Sequence, residues 1–350
     1  MIRIPGMIDI RTQVNAAGED WTSTTSAALA GGFTAIVAAA DGLEPVVSQG
    51  LLTASLQSAA VQAKCDYAQL MTVQGETVRE INRLGAGSAG FSLFTENIQH
   101  PQLALQNMHQ ITRAISNAPA ELPLFFHGNA SQIGAAIFSA GIQQRSIHIA
   151  DIRTWDQLEM VLEAKSSGAN VSCDVSAITL FLSQKHYDGA PEQVRRMLPA
   201  LGTEQDRQAI WHHLDAIDCF VSGHDPQPDS IFPGFPALET ALNLYLYAVE
   251  GGFLSLDDLI LRTVNNPQRI FRLNSQPDTF VEIDNDERKP IDPTRFHSNL
   301  KVSPFAGLEF PGSVTKVVLR GTVVFQDGEV LASAGSGMPA RRSLEIAGGS

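Results

Sequence analysis

Residues 5–20, PGMIDIRTQVNAAGED, decide how the rest of the chain is read. Met7 to Ile10 is mostly apolar and follows Pro5 and Gly6, so it reads as a buried strand. Arg11 and Gln13 come next. They lie two residues apart, so on an extended chain they point to one side together. WTSTTSAALAGG (21–32) follows as a helix of small residues that ends at Gly31 and Gly32. FTAIVAAA (33–40) is then a second apolar strand.

The same unit recurs. Helical patterns fall at 46–64, 100–115, 131–141, 154–168, 203–214, 235–252 and 255–271. Apolar strands fall at 67–73, 90–94, 122–127, 146–150, 170–175 and 217–223. In the helix at 154–168 Thr154 can cap, Gln157 sits three residues on and Gly168 stops it. Ser255 and Asp258 give the same start signal to the last helix, whose pattern runs out before Pro267. Strand and helix alternate roughly eight times. Most strands are apolar and not cleanly two-faced, as parallel strands covered by helices are. An α/β fold, a closed (β/α)8 TIM-like barrel over residues 5–285, fits best. A doubly wound open sheet is the alternative, and no phosphate-binding or nucleophile-elbow motif at a strand end supports it.

The C-terminal part differs. VTKVVLRGTVVFQDGEVLA (314–332) reads as two strands joined around Asp327–Gly328. With residues 1–4, residues 300–332 are expected to form a small β extension. The polar stretch 285–299 reads as an exposed excursion, and residues 333–350 as a flexible tail or linker.

Composition narrows the function. The 350 residues are 44% hydrophobic and carry a formal charge of −13, which disfavours nucleic acid and anionic membrane as partners. Cys65, Cys173 and Cys219 are few, odd in number and without a C-x-x-C, so a reducing compartment fits. No apolar run is long enough to span a membrane and the N-terminus lacks signal-peptide features, so a cytoplasmic location is the expectation.

Eight segments in order carry a resemblance: PGMIDI (5–10), AALAGGFTAIV (27–37), PLFFHG (123–128), RSIHIADI (145–152), VSCDVS with LFLS (171–183), AIDCFVSGHDPQP (216–228), PGFPALETALNLYLYAV (233–249) and LSLDDLILRTVNNPQRIF (254–271). Together they resemble dihydroorotase, of the amidohydrolase superfamily, over residues 5–330. They resemble in particular the dihydroorotase domain of the large eukaryotic multifunctional protein of pyrimidine synthesis. The resemblance implies a barrel of the amidohydrolase type. It also implies a binuclear zinc site at the mouth, with paired histidines on the first strand, a bridging carboxylated lysine, two later histidines and a catalytic aspartate.

Carried over residue by residue, that site is degenerate. The first-strand histidines correspond to Arg11 and Gln13, and the bridging lysine to Ser92. The later histidines correspond to His127, which is kept, and Asp151; His148 matches a neighbouring, non-equivalent position. The catalytic aspartate corresponds to Gly223. The substrate-binding positions correspond to Asn15, Asp41 and Gln227, and the lid reads TENIQHPQ (95–102). Arginine is a permanent cation and cannot ligate zinc. Loss of ligands, bridge and base together leaves no route for metal-hydroxide attack. The resemblance therefore implies a pseudoenzyme of the fungal type, with no cofactor. It would link a carbamoyl phosphate synthetase and an aspartate carbamoyltransferase in one chain, and a homodimer is possible.

Two readings of the mouth stay open. Some of His127, His148, Asp151, Asp174 and His224 could form a relocated single-zinc site serving an altered hydrolase. Alternatively these remnants bond one another and Arg11, with Arg11 paired to Asp151 or Asp174. A regulatory small-molecule site is a third reading of the cavity. Asp225 is taken as a turn residue before Pro226, His212 and His213 as packed or solvated, Trp21 and Trp155 as packing residues, and Arg341–Arg342 as a solvated pair.

Overall fold

The computed structural model describes residues 1–14, 18–42, 44–75, 77–79, 81–95, 100–186, 201–226 and 234–341, with residue 287 described in its backbone alone. The chain opens with β1 (Ile2–Pro5), part of a small sheet, and enters the barrel at β2 (Met7–Thr12). The wall continues through β3 (Phe33–Ala38), β4 (Asp66–Gln69), β5 (Met71–Thr72), β6 (Phe91–Phe94), β7 (Leu124–His127), β8 (Ile147–Ile149), β9 (Val171–Ser176) and β10 (Cys219–Val221). Each pairs in parallel with the next from β2 to β4 and from β5 to β10. β4 and β5 are one strand interrupted at Leu70. The Leu70 N–H still donates to Ala38 O on the β3 side at 3.0 Å, and the Met71 N–H turns to Gly90 O at 3.0 Å. Counted as one, they make an eight-stranded wall.

The wall closes between β2 and β10 without a regular ladder. Asp9, wholly buried, clasps the seam. Its carboxylate accepts the Ser222 N–H at 3.1 Å, the Ser222 O–H at 2.5 Å and the Thr12 O–H at 2.7 Å. One step higher the Gln13 N–H donates to His224 O at 3.0 Å.

The covering helices start on their own chemistry. Capping boxes are formed by Asp20 with Ser23, Asn129 with Gln132, Thr154 with Gln157, Thr203 with Asp206 and Ser255 with Asp258. Two helices depart from the sequence pattern. The stretch 100–115 is a short turn at Pro101–Leu103 and then the helix Met108–Asn117, capped by Asn107. The last helix does not stop before Pro267. It widens into a π-turn at Leu261–Asn265 and resumes at Asn266–Phe271, so the proline sits in the first turn of a new segment, where its missing N–H costs little. Phe271, at its end, stacks on Phe125 at 4.6 Å and meets His148 edge-on at 4.9 Å.

The small sheet runs β1, β11 (Phe280–Pro290), β12 (Glu309–Leu319), β13 (Thr322–Gln326), β14 (Glu329–Val330), all antiparallel. The strand β11 runs across residue 285, and β1 pairs with it rather than with the hairpin. The hairpin turn between β12 and β13 is at Arg320–Gly321, both at positive φ (50° and 75°). Asp327–Gly328 (51° and 91°) joins β13 to the two-residue β14. Arginine is not a usual residue for the first position of such a turn, so the first turn left no signal in the sequence.

Two segments expected to be exposed are docked. Within 285–299, buried Glu19 accepts the Ser298 O–H and the Asn299 N–H (2.7 Å), and Glu239 accepts the His297 N–H (2.7 Å) and the Ser298 N–H (3.0 Å). Residues 333–341 lie across the base of the barrel. The Tyr67 N–H donates to Met338 O at 3.0 Å and the Ala340 N–H to Tyr67 O at 2.6 Å. Arg341 is 9% exposed, not solvated, and donates to Ala89 O at 2.8 Å and Glu121 O at 2.7 Å. Residues 342–350 lie outside the described residues.

Asp66 ties this strap to barrel and sheet, accepting from Arg320, from Gln276 Nε2 (2.7 Å) and from the Met338 N–H (2.9 Å). Asp66→Ala should cost about 3 kcal/mol in urea unfolding. Hydrogen exchange at residues 337–341 should quicken while β7 to β9 stay protected.

Candidate functional site at the barrel mouth

The C-terminal ends of the strands bring together Arg11, Asp151, Asp174, His148 and Arg153. Arg11 reaches in from β2. Its Nη2 lies 3.0 Å from Asp151 Oδ1 and 3.7 Å from Asp174 Oδ1. Asp174, on β9, is wholly buried, accepts the Asp151 N–H at 3.0 Å and meets His148 Nε2 at 3.0 Å. The His148 Nδ1 in turn meets Ser172 Oγ at 2.8 Å. Asp151 follows β8 in a left-handed backbone conformation (φ 64°), which aspartate tolerates, and its second oxygen pairs with Arg153.

Charge follows from this geometry. Burial opposes ionisation of Asp151, yet Arg11 and Arg153 outweigh it and hold the carboxyl well below the usual range. Burial likewise opposes ionisation of Asp174, and Arg11 with the His148 hydrogen bond overcomes it. For Arg11 the cost of burial is outweighed by Asp151 and Asp174, which keep the guanidinium charged. Asp41, bonded by Gln13 Nε2 at 3.0 Å, has its carboxyl pushed up by burial.

The other sequence-predicted positions fall around this cluster. His127 ends β7 with its ring stacked on Phe94 at 4.3 Å; burial, helped by Arg11, pushes it down to about 3, so it is neutral. Ser92 is buried in β6 beside Thr72 and Phe125 in register. His224 is not part of the cluster. Its Nδ1 accepts the Ala237 N–H at 3.2 Å, its Nε2 has no partner among the described residues, and burial pushes it down to about 3. Gly223 has φ 81°, and a Cβ there would lie 3.1 Å from Ile178 Cγ1 and from Ser176 Cβ. The Asp225 N–H donates to Phe235 O at 3.1 Å. Asn15, Gln227 and residues 96–99 of the lid lie outside the described residues. Sequence reasoning missed Arg153 and Ser172. A basic residue two positions after Asp151 was the available signal for the first.

A binuclear zinc site does not fit these residues. Arg11 brings a permanent positive charge against Asp151 and Asp174, Arg153 engages the second oxygen of Asp151, and Ser92 offers only a hydroxyl. Among the described residues no group of three or more His, Cys, Asp or Glu is placed to hold a metal ion.

His224 gives a pH dependence with a defined sign. Its folded value of about 3 lies below the ordinary value near 6.5, so below pH ~6.5 the unfolded chain takes up a proton that the folded chain refuses. Stability is therefore lost as pH falls from about 6.5 towards 3. Between pH 7.5 and 5 this residue should account for about 2 kcal/mol, and His224→Gln should flatten the fall in urea-unfolding free energy by that amount.

Comparison with known proteins places this geometry. The chain is 33% identical over 352 residues to the multifunctional protein CAD of Squalus acanthias, covering 97% of this chain and 16% of that protein. It thus spans about a sixth of the relative's length. Among solved structures it superposes on the inactive dihydroorotase-like domain of the Chaetomium thermophilum CAD-like multifunctional protein with a TM-score of 0.82 and 24% identity, covering 97% of this chain and 98% of that one. It also superposes on the L-hydantoinase of Arthrobacter aurescens with a TM-score of 0.89 and 20% identity, covering 97% and 89%. No family model matches the chain. Sequence along nearly its whole length and the shape of its barrel agree: the chain matches a domain-sized stretch of the multifunctional protein and has the amidohydrolase-type fold of the dihydroorotase-like domain and the hydantoinase.

Proposed function

We propose that this domain is a catalytically inactive, structural member of the dihydroorotase-like domains within a multifunctional chain of pyrimidine synthesis. One observation carries the reading: the Arg11 guanidinium is bound to Asp151 and Asp174 at the barrel mouth, where the resemblance would put the first metal ligands. A hydroxide-generating metal needs that position empty of positive charge and lined by neutral or anionic donors. Ser92 and Gly223 supply neither a bridge nor a base. The fold, by contrast, retains its closure, caps and core.

In this reading the barrel stands between a carbamoyl phosphate synthetase and an aspartate carbamoyltransferase in the same cytoplasmic polypeptide. It acts as a spacer of fixed shape. No described helix is long and apolar enough to cross a membrane. A homodimer is part of the proposal. The helix Ala130–Ile142 carries no charged residue, and Phe138 and Ile142, one turn apart, are each 69% exposed. An uncharged surface can meet its own copy across a two-fold axis without like-charge opposition. Phe138→Asp should lower the sedimentation-velocity mass towards that of a monomer; an unchanged mass removes this helix from the contact.

The deciding experiment measures bound metal together with dihydroorotate ring opening and carbamoyl aspartate ring closure, on protein purified with added zinc. The expected result is no turnover above buffer and no stoichiometric zinc. Turnover with bound zinc would establish the altered-hydrolase reading instead. A rise in melting temperature with carbamoyl aspartate, dihydroorotate or a nucleotide would point to a regulatory site.

A further inference from the structure

We infer that Arg11 is the resident counter-ion of the barrel mouth: its guanidinium does there the electrostatic work that a metal does in a hydrolase of this fold, and it makes the shape of the mouth independent of metal. Asp151 and Asp174 come from consecutive strand ends and touch, since Asp174 Oδ1 accepts the Asp151 N–H at 3.0 Å. Their side chains are 14% and 0% exposed. Two carboxylates so close and so dry repel one another and cannot both stay ionised without a cation. Arg11 comes from β2, across the seam from β10 and so two strands from β9 around the wall, and is the cation that reaches both among the described residues. Arg153 pairs with the other oxygen of Asp151, and His148 holds the other oxygen of Asp174. The second oxygen of each carboxylate is thus engaged elsewhere, and Arg11 faces the first oxygen of both. The planar fork suits a pair of carboxylates as an ammonium does not.

This goes beyond the scaffold reading and stands on the side-chain geometry alone, whatever the parent chain does. Arg11→Ala should lower the melting temperature by about 6–12 °C, the loss expected when a buried carboxylate is left unpaired in a domain of this size. Methylguanidinium at millimolar concentration should restore part of that loss. The variant Arg11→Ala/Asp151→Asn/Asp174→Asn should melt above Arg11→Ala and ignore methylguanidinium, because its carboxylate pair is gone. If Arg11→Ala does not fold, Arg11→Lys serves, with an expected melting point between those of wild type and the triple variant. Wild type equilibrated with zinc should retain none and melt unchanged. The inference is overturned by any of three results. These are a single variant melting with wild type, a triple variant no more stable than the single, or stoichiometric zinc uptake by wild type. The first two leave the absence of turnover, on which the scaffold reading is tested, untouched.

Discussion

A barrel exists only if its first and last strands meet, and here that closure rests on one carboxylate. Asp9 takes two hydrogen bonds across the seam between β2 and β10, both from Ser222, and a third from Thr12 on its own strand. Burial pushes its carboxyl up, so the hydrogen bonds from Ser222 and Thr12 are what make its place in the core tolerable. Eight strands held in register by this clasp fix where every strand end points. The positions of Arg11, His127, Asp151 and Asp174 are consequences of that geometry, whichever side chains stand there. This is why a mouth with altered chemistry still converges on one cluster.

Fold and site draw on different residues. Closure uses Asp9, Ser222 and Thr12, and the helices use their own capping boxes. The strap is pinned by Asp66 and Arg341 at the opposite end of the barrel from the mouth. None of these depends on a metal-binding side chain. The mouth can therefore carry an ion-pair cluster without cost to the barrel. The cluster is itself coherent, since each buried carboxylate has a cation and further hydrogen bonds, as a buried charge requires.

Much of this was legible in the sequence. The alternation of apolar strands with capped helices has few folds to satisfy, and Thr154 with Gln157 or Ser255 with Asp258 mark helix starts by local chemistry alone. A pairing of Arg11 with Asp151 or Asp174 was expected once the resemblance set an obligate cation beside acidic strand ends, and the guanidinium meets both. What was illegible depends on distant partners. A polar stretch such as 296–299 looks solvated until the fold brings Glu19 and Glu239 to its N–H groups. Arg341 looks solvated until the fold turns the carbonyls of Ala89 and Glu121 towards it. The passage of the last helix through Pro267 was hidden because a π-turn moves the hydrogen-bond register by one residue, and no residue type announces that. His224 next to Gly223 suggested a mouth residue, but the left-handed turn at Gly223 leaves it bonded to Ala237 instead.

That turn limits which residues the position after Ser222 can hold. The conformation at Gly223 is one that side chains rarely adopt, and the room a Cβ would need is taken by Ser176 and Ile178. Any side chain placed there would press on Ser176 and Ile178, and those neighbours would have to give by a few tenths of an ångström. The backbone path after β10 is thus matched to a residue without a Cβ.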